Sequence, residues 1–322
     1  MHAIVLHRFG PAGNLRHERV EDPEPGTGQV RIAVRAAGVH LVDTRLREGV
    51  AGGPLPLPEL PTVPGREVAG VVDAVGPDTD PGWVGRRVVA HLGAVPGGYA
   101  ELAVTGTERL HAVPDGLDEA AAVAMIGTGR TAMGLLRPAR LTAGDVVLVT
   151  AAAGGIGTLL TQSALRRGAT VVGLAGGAAK TARVRELGAA AVDYREPGWP
   201  RRVREVLDGR TASVVFDAVG GATGRAAVEL LGEGGRHIPY GWFDEGPVAL
   251  GEEELARRGI TSYSPLGAPM MAVLRELEEE ALAEAAAGRL VPAVRSFPLA
   301  EAAEAHRALE SRATMGKVVL CP

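Results

Sequence analysis

Over the first 121 residues, apolar and polar positions alternate in short runs, as in Val30-Arg31-Ile32-Ala33-Val34-Arg35 and from Val68 to Val75. A period of two puts one face of a strand inward and the other in water. Pro23-Glu24-Pro25-Gly26 and the stretch from Pro54 to Pro64 interrupt these runs with turn residues, so this half is predicted to be mostly β and to close as a small barrel. From about residue 122 the period changes to apolar runs of five to seven residues alternating with helical stretches and glycine-marked turns, the rhythm of βαβ units. The expected strands are Val146 to Ala151, Thr170 to Ala175, Ala190 to Tyr194, Ser213 to Ala218, Arg236 to Tyr240 and Ile260 to Ser264. The helices between them are Ile156 to Arg167, Thr181 to Gly188, Arg201 to Gly209, Gly224 to Leu231 and Glu252 to Arg258. Six parallel strands suit an α/β, doubly wound sheet of Rossmann type. Beyond Pro269, a long helix from Met270 to Gly288, the segment Val291 to Phe297, a helix from Leu299 to Arg312 and a strand from Lys317 to Leu320 depart from that rhythm. This tail is expected to return to the N-terminal domain, giving 1–121 with 266–322 as one domain and 122–265 as the other.

Composition narrows the function. A chain of 322 residues, 46% hydrophobic and 22% charged, can bury two cores and is neither a stapled miniature nor a disordered segment. A formal net charge of −4 lacks the concentrated basic surface that nucleic acid or an anionic membrane requires, which leaves small-molecule chemistry. The single cysteine, Cys321, excludes an internal disulfide and a thiolate zinc cluster. Met1 to Arg8 holds no apolar core long enough for a signal peptide, so a cytoplasmic location is expected. Val146 to Leu165 is uncharged and of membrane-spanning length, yet its glycines, threonines, Gln162 and Ser163 mark a buried strand feeding a helix.

The turn inside that run carries the first chemistry. Ala152-Ala153-Gly154-Gly155-Ile156-Gly157 lies between strand and helix, where glycines let a pyrophosphate approach backbone N–H groups at the positive end of the helix. Ala152 stands where the G-x-G-x-x-G pattern has its first glycine. An NAD site usually places an acidic residue on the ribose about 20 residues further on. No acidic residue occurs between Gly157 and Glu186, and the second strand ends instead in Ala175-Gly176-Gly177-Ala178-Ala179-Lys180. Only two of the 34 basic side chains are lysines, and one stands here, where an ammonium suits the 2′-phosphate of NADPH.

Met1-His2-Ala3-Ile4-Val5, the segment from Ala36 to Asp43, Pro64-Gly65-Arg66-Glu67-Val68-Ala69-Gly70, the turn from Ala151 to Gly157 and the end from Met315 to Leu320 together resemble the zinc-independent quinone oxidoreductases of the medium-chain dehydrogenase/reductase superfamily. The likeness covers nearly the whole chain. It implies a GroES-like β-barrel catalytic domain with a Rossmann domain, NADPH, a cleft between the domains, and a homodimer joined through the Rossmann sheet edge. It also implies that Lys180 and Tyr194 hold the 2′-phosphate, that Thr131 lies near the nicotinamide or its ribose, and that Gly220 and Gly241 border the nicotinamide half. Lys317, in the C-terminal motif, is counted with the cofactor-binding residues, and Asp43 and Arg47, both retained, with the catalytic ones.

Departures from the family sharpen the expectation. Zinc-dependent relatives carry Cys where His40 stands and Gly-His-Glu where this chain has Gly65-Arg66-Glu67; arginine cannot ligate zinc, and no metal is expected. Quinone reductases usually have Asn at the His40 position and tyrosines at those of Arg45 and Ala51. Losing both phenols makes His40 the candidate proton donor. Tyr240, Trp242 and Phe243 follow the fifth strand, where an α/β sheet exposes its ligand crevice, and are expected to wall a substrate pocket. Glu276, Glu278, Glu279 and Glu280 are expected to form a solvated helical face. The expected function is NADPH-dependent hydride transfer to a quinone or activated α,β-unsaturated carbonyl. Alternatives are reduction of an enoyl thioester or polyketide-type C=C bond, and an NADPH-binding sensor or structural protein with little turnover.

Overall fold

The longest alternating run of the sequence becomes the longest strand. In the computed structural model, which describes residues 1–51, 56–93, 97–242 and 246–322, the first part of the chain supplies β1 (His2–Leu6), β2 (Leu15–Arg19), β3 (Gln29–Val39), β4 (Glu67–Val75), β5 (Arg87–His91), β6 (Leu102–Gly106) and β7 (Leu110–Ala112). Helices α1 (Leu41–Glu48) and α2 (Glu119–Ala124) belong to the same part. There follow β8 (Val146–Thr150), β9 (Thr170–Ala175), β10 (Ala190–Asp193), β11 (Ala212–Asp217), β12 (Leu231–Pro239) and β13 (Thr261–Ser262). The helices among them are α3 (Arg130–Ala139), α4 (Gly155–Arg166), α5 (Ala178–Glu186), α6 (Trp199–Leu207), α7 (Gly221–Val228) and α8 (Glu252–Arg258). Helices α9 (Ala268–Met271) and α10 (Leu274–Ala286), strand β14 (Val294–Pro298), helix α11 (Ala302–Glu310) and strand β15 (Lys317–Cys321) complete the chain. Two compact units result, Met1–Thr128 with Ala281–Pro322, and Gly129–Glu280.

In the first unit the sheet order is β14-β15-β3-β4-β5-β7, with β6 also pairing β3. Register shifts at Arg31/Ile32 and Val34/Ala36 bend β3 so that its two ends serve different partners. Its C-terminal end pairs antiparallel with β15, Val39 opposite Val318, which sets His40 and Lys317 beside each other. Ile32, Val68, Val88, Tyr99 and Leu320 fill the core.

In the second unit six parallel strands run in the order β10-β9-β8-β11-β12-β13 around Leu148, Val172 and Val215. The order reverses direction between β8 and β11, the switch point at which such sheets open a crevice beyond their C-terminal ends. The uncharged run from Val146 splits into β8 and α4, and no helix among the described residues is long and apolar enough to cross a membrane.

The first half is mostly β as expected, with α1 added, and two expectations need correction. The helix expected from Met270 to Gly288 is two helices, α9 and α10. The glutamates of α10 are not simply solvated: Glu278 is buried and pairs with Arg130 at 2.5 Å, while Glu276 and Glu280 take Arg137.

Candidate functional site

In the second unit, β8 hands over to α4 through a turn in which Ala151 adopts φ +49° and Gly154 is the extended N-cap. The first N–H groups of a helix lack intrahelical acceptors and face the incoming chain, a ready anion site. A Cβ on Gly157 would strike the Ala151 carbonyl and Ala152 Cα, so glycine here lets the helix lie directly on the strand. Ala152 is fully buried beneath the turn.

The ends of β9 and β10 build a second group. Asp193 accepts the Gly177 N–H at 2.7 Å and the Arg195 N–H at 2.9 Å. Burial pushes the Asp193 carboxyl up, but the hydrogen bonds from Arg195 and Gly177 outweigh it and hold the group below its ordinary value. The Tyr194 hydroxyl lies 3.2 Å from where a Cβ on Gly176 would sit, and the Arg195 guanidinium would collide with one on Gly177. Phenol and guanidinium therefore lie over the Gly176-Gly177 turn, and Lys180 stands in the first turn of α5 just beyond it. Sequence reasoning missed Arg195, although its place next to Tyr194 could have pointed to it. It also missed that an acidic residue does reach this turn, from β10, with its carboxylate already engaged.

At the end of β11, Asp217 is buried and accepts the Thr150 hydroxyl at 2.9 Å and the Val219 N–H at 3.0 Å. Gly220 follows with φ +68°, and a Cβ there would press on Trp242 Cβ. Gly241 has ordinary clearance from Ala218, and Thr131 is the second residue of α3. The aromatic wall is only partly as expected. Trp242 is exposed, but the Tyr240 hydroxyl donates to the Thr150 carbonyl at 3.4 Å, so this ring turns back onto the sheet. Burial, then the nearby Asp217 charge, pushes its phenol up. Phe243 lies outside the described residues.

The first unit holds the remaining candidates. His40 caps α1, and its backbone N–H donates to Asp43 at 2.8 Å. Its ring nitrogen Nε2 lies 2.6 Å from Glu67 Oε1 and 2.8 Å from Lys317 Nζ, which in turn is 2.8 Å from Glu67 Oε2. Glu67 and Lys317 are buried. Burial raises the Glu67 carboxyl, but His40 and Lys317 overcome that and hold it well below the carboxylate range. Space for this carboxylate comes from two glycines, since a Cβ on Gly38 or on Gly127 would overlap its oxygens.

Three further candidates are engaged within the protein. The Lys317 ammonium is buried against Glu67 and His40. Asp43 is 4% exposed and accepts from Arg66 at 2.6 Å and Tyr99 at 3.1 Å, contacts that brace α1. Arg47, expected to be catalytic, is buried and pairs with Glu48 at 2.8 Å and Glu310 at 2.5 Å. The residues do not fit zinc either. Arg66 is spent on Asp43, and a lysine ammonium already touches both His40 and Glu67. Among the described residues no group of three or more His, Cys, Asp or Glu is placed to hold a metal.

A six-stranded doubly wound sheet with a glycine turn at its switch point defines a dinucleotide-binding class of protein. Residues 26–115 match the alcohol dehydrogenase GroES-like domain family and residues 187–320 the zinc-binding dehydrogenase family. The chain is 34% identical to a quinone oxidoreductase of Pseudomonas aeruginosa, covering 99% of both. It is equally similar, at 34%, to a 2-haloacrylate reductase of a Burkholderia species, covering 99% of this chain and 98% of the relative. An Escherichia coli quinone oxidoreductase crystallised with NADPH superposes with a TM-score of 0.87 at 27% identity over the whole of both chains. The chain belongs to the zinc-independent quinone oxidoreductase family of the medium-chain dehydrogenase/reductase superfamily.

Proposed function

We propose that the protein is an NADPH-dependent reductase of quinones or activated α,β-unsaturated carbonyl compounds. The observation that carries this reading is the cationic set at the Gly176-Gly177 turn, Lys180 and Arg195 with the Tyr194 phenol, on the same sheet as the glycine turn of α4. An ammonium and a guanidinium favour a 2′-phosphate, and the carboxylate that would favour a bare ribose is engaged by Gly177 and Arg195. In this reading the backbone of Gly154, Gly155, Ile156 and Gly157, above Ala152, holds the pyrophosphate, and Thr131, Gly220 and Gly241 border the nicotinamide half. When bound, the nicotinamide supplies the hydride. His40 supplies the proton, and Trp242 contacts the acceptor. The relatives named as quinone oxidoreductase and 2-haloacrylate reductase support a conjugated, electron-poor acceptor. A homodimer across the sheet edge at β13 completes the proposal, with sedimentation mass as its check.

The test is consumption of NADPH and of NADH with a panel of quinones, enones, 2-haloacrylates and enoyl thioesters. Turnover of at least one quinone or activated carbonyl with NADPH strongly preferred is the expected result. NADPH binding without turnover of any acceptor would make the protein a sensor, and turnover confined to thioesters would move it to the polyketide-type reductases.

A further inference from the structure

We infer that the acceptor is a small α,β-unsaturated carboxylate, and that a cavity of the first unit beside α1 receives its carboxylate group on the Arg66 guanidinium. The inference rests on the reductase reading for the chemistry and adds to it the charge of the substrate.

Helix α1 buries Asp43, Leu46 and Arg47 on one side, and all three line a cavity of about 80 Å³, room for several waters or a short organic acid. Leu6, Leu46 and Leu57 give it apolar walls, while Asp43, Arg47 and Arg66 bring the charges, two guanidiniums against one carboxylate. Neither arginine is used up. Asp43 takes only Nη2 of Arg66, at 2.6 Å, and the Arg66 Nε and Nη1 donate to no described residue. Arg47 reaches Glu48 and Glu310 through its Nη2 alone, and its Nε and Nη1 are buried without a partner. Both glutamates are exposed, so water weakens their hold on that charge. The cavity therefore carries a positive excess between apolar walls, where an anion is held better than a neutral carbonyl.

The place of the cavity suits an acceptor. Asp43 accepts the His40 N–H with one oxygen and the Arg66 guanidinium with the other, so the cationic end of the cavity lies one carboxylate away from the proposed proton donor. Hydride addition at the β-carbon of such an acid moves the C=C pair onto the α-carbon and the carboxylate. The second negative charge that builds there is met by the two guanidiniums until a proton closes the Cα–H bond.

The test sets an acid against its uncharged twin. 2-Chloroacrylate and its methyl ester carry the same C=C bond, and the ester is intrinsically the better hydride acceptor, so a preference for the acid comes from the protein. With NADPH, kcat/KM for the acid should exceed that for the ester by about tenfold or more, the effect of one charge-assisted contact. Arg66→Gln keeps an N–H for Asp43 and removes the charge, so it should erase the preference by lowering turnover of the acid alone. Should Arg66→Gln fail to fold, judged by Tm, Leu57→Trp fills the cavity from a side chain that is 40% exposed and should erase the preference as well. Binding without turnover is read by NMR titration of the protein with the saturated acid 2-chloropropionate, which should saturate and should bind about tenfold more weakly as its methyl ester. An ester turned over as well as the acid, a preference unmoved by these variants, or 2-chloropropionate that does not bind overturns the carboxylate site and leaves the reductase reading in place. Absence of turnover with every acceptor, while 2-chloropropionate still binds and Arg66→Gln abolishes that binding, overturns the reductase reading and upholds the site.

Discussion

The molecule places its only two lysines in opposite surroundings. Lys180, in the first turn of α5, is half-buried, whereas Lys317 lies in the core of the first unit. A cation that solvent still reaches keeps part of its solvation. A buried ammonium cannot wait, because losing its water costs several kcal/mol unless a counter-ion is already in place. Exposure therefore separates a cation that could also meet a ligand, as proposed for Lys180, from one held wholly by its neighbours.

The sharpest way to break this contrast is to remove the buried counter-ion. Glu67→Leu leaves Lys317 uncompensated and should cost about 3–5 kcal/mol of stability in chemical denaturation. Glu67→Leu with Lys317→Leu should recover a large part of that. A loss under about 1 kcal/mol in the single variant would show that the two charges do not depend on each other. Because the folded-state carboxyl is held below its ordinary value near 4.5, its contribution is complete above that pH and disappears as the pH falls through the lowered folded value.

A second buried base tests the same unit with the same sense of coupling, at a higher pH. The Tyr99 hydroxyl lies 3.3 Å from His306 Nε2, and burial, against the pull of Asp43 and with the push of Arg47, lowers this imidazole to about 4. The unfolded chain takes up a proton near 6.5 that the folded chain refuses, so stability should fall as the pH drops from 6.5 toward 4, by roughly 3 kcal/mol in all. His306→Leu should flatten that slope when stability is measured across the interval. An unchanged slope would place the acid sensitivity elsewhere.

What could be read from the sequence follows from how each region buries itself. Strands of a parallel sheet are covered on both faces and read as continuous apolar runs, so β8, β9 and β10 end within a residue of expectation. Strand β12 begins at Leu231 rather than Arg236 because Gly232, Gly234 and Gly235 look like a turn. Helix α1 was invisible for a different reason. Its buried side includes Asp43, Thr44 and Arg47, which inverts the apolar stripe that marks a helix. The strand-to-helix glycine turn before α4 is legible because such a turn is local in sequence. The His40 cluster was not, since Lys317 reaches it only through the pairing of β15 with β3, 277 positions away along the chain.

The two cations at the Gly176-Gly177 turn make the next test. Lys180→Ala should weaken NADPH binding by about 1.5–3 kcal/mol, one charge-assisted contact, and leave NADH nearly unchanged. Arg195→Ala should act in the same direction by a smaller step, since its guanidinium is shared with Asp193. Titration of both cofactors by fluorescence or calorimetry reads the difference. Equal losses for NADPH and NADH would mean that these side chains shape the turn without meeting a phosphate.

The smallest effect is expected at Trp242, which is 51% exposed and follows the β12 strand end with its Cβ over Gly220. A half-exposed aromatic that contacts an acceptor only when it binds should contribute about 1 kcal/mol. Trp242→Ala should therefore raise KM severalfold, or reorder preference among quinones and enones, while the Kd for NADPH stays where it was. The comparison with Tyr240 makes this informative, because that ring is already committed to the Thr150 carbonyl and Tyr240→Phe should leave acceptor kinetics alone. If Trp242→Ala changes neither KM nor preference, the exposed ring belongs to packing or to a subunit contact, and acceptor recognition must be sought nearer His40.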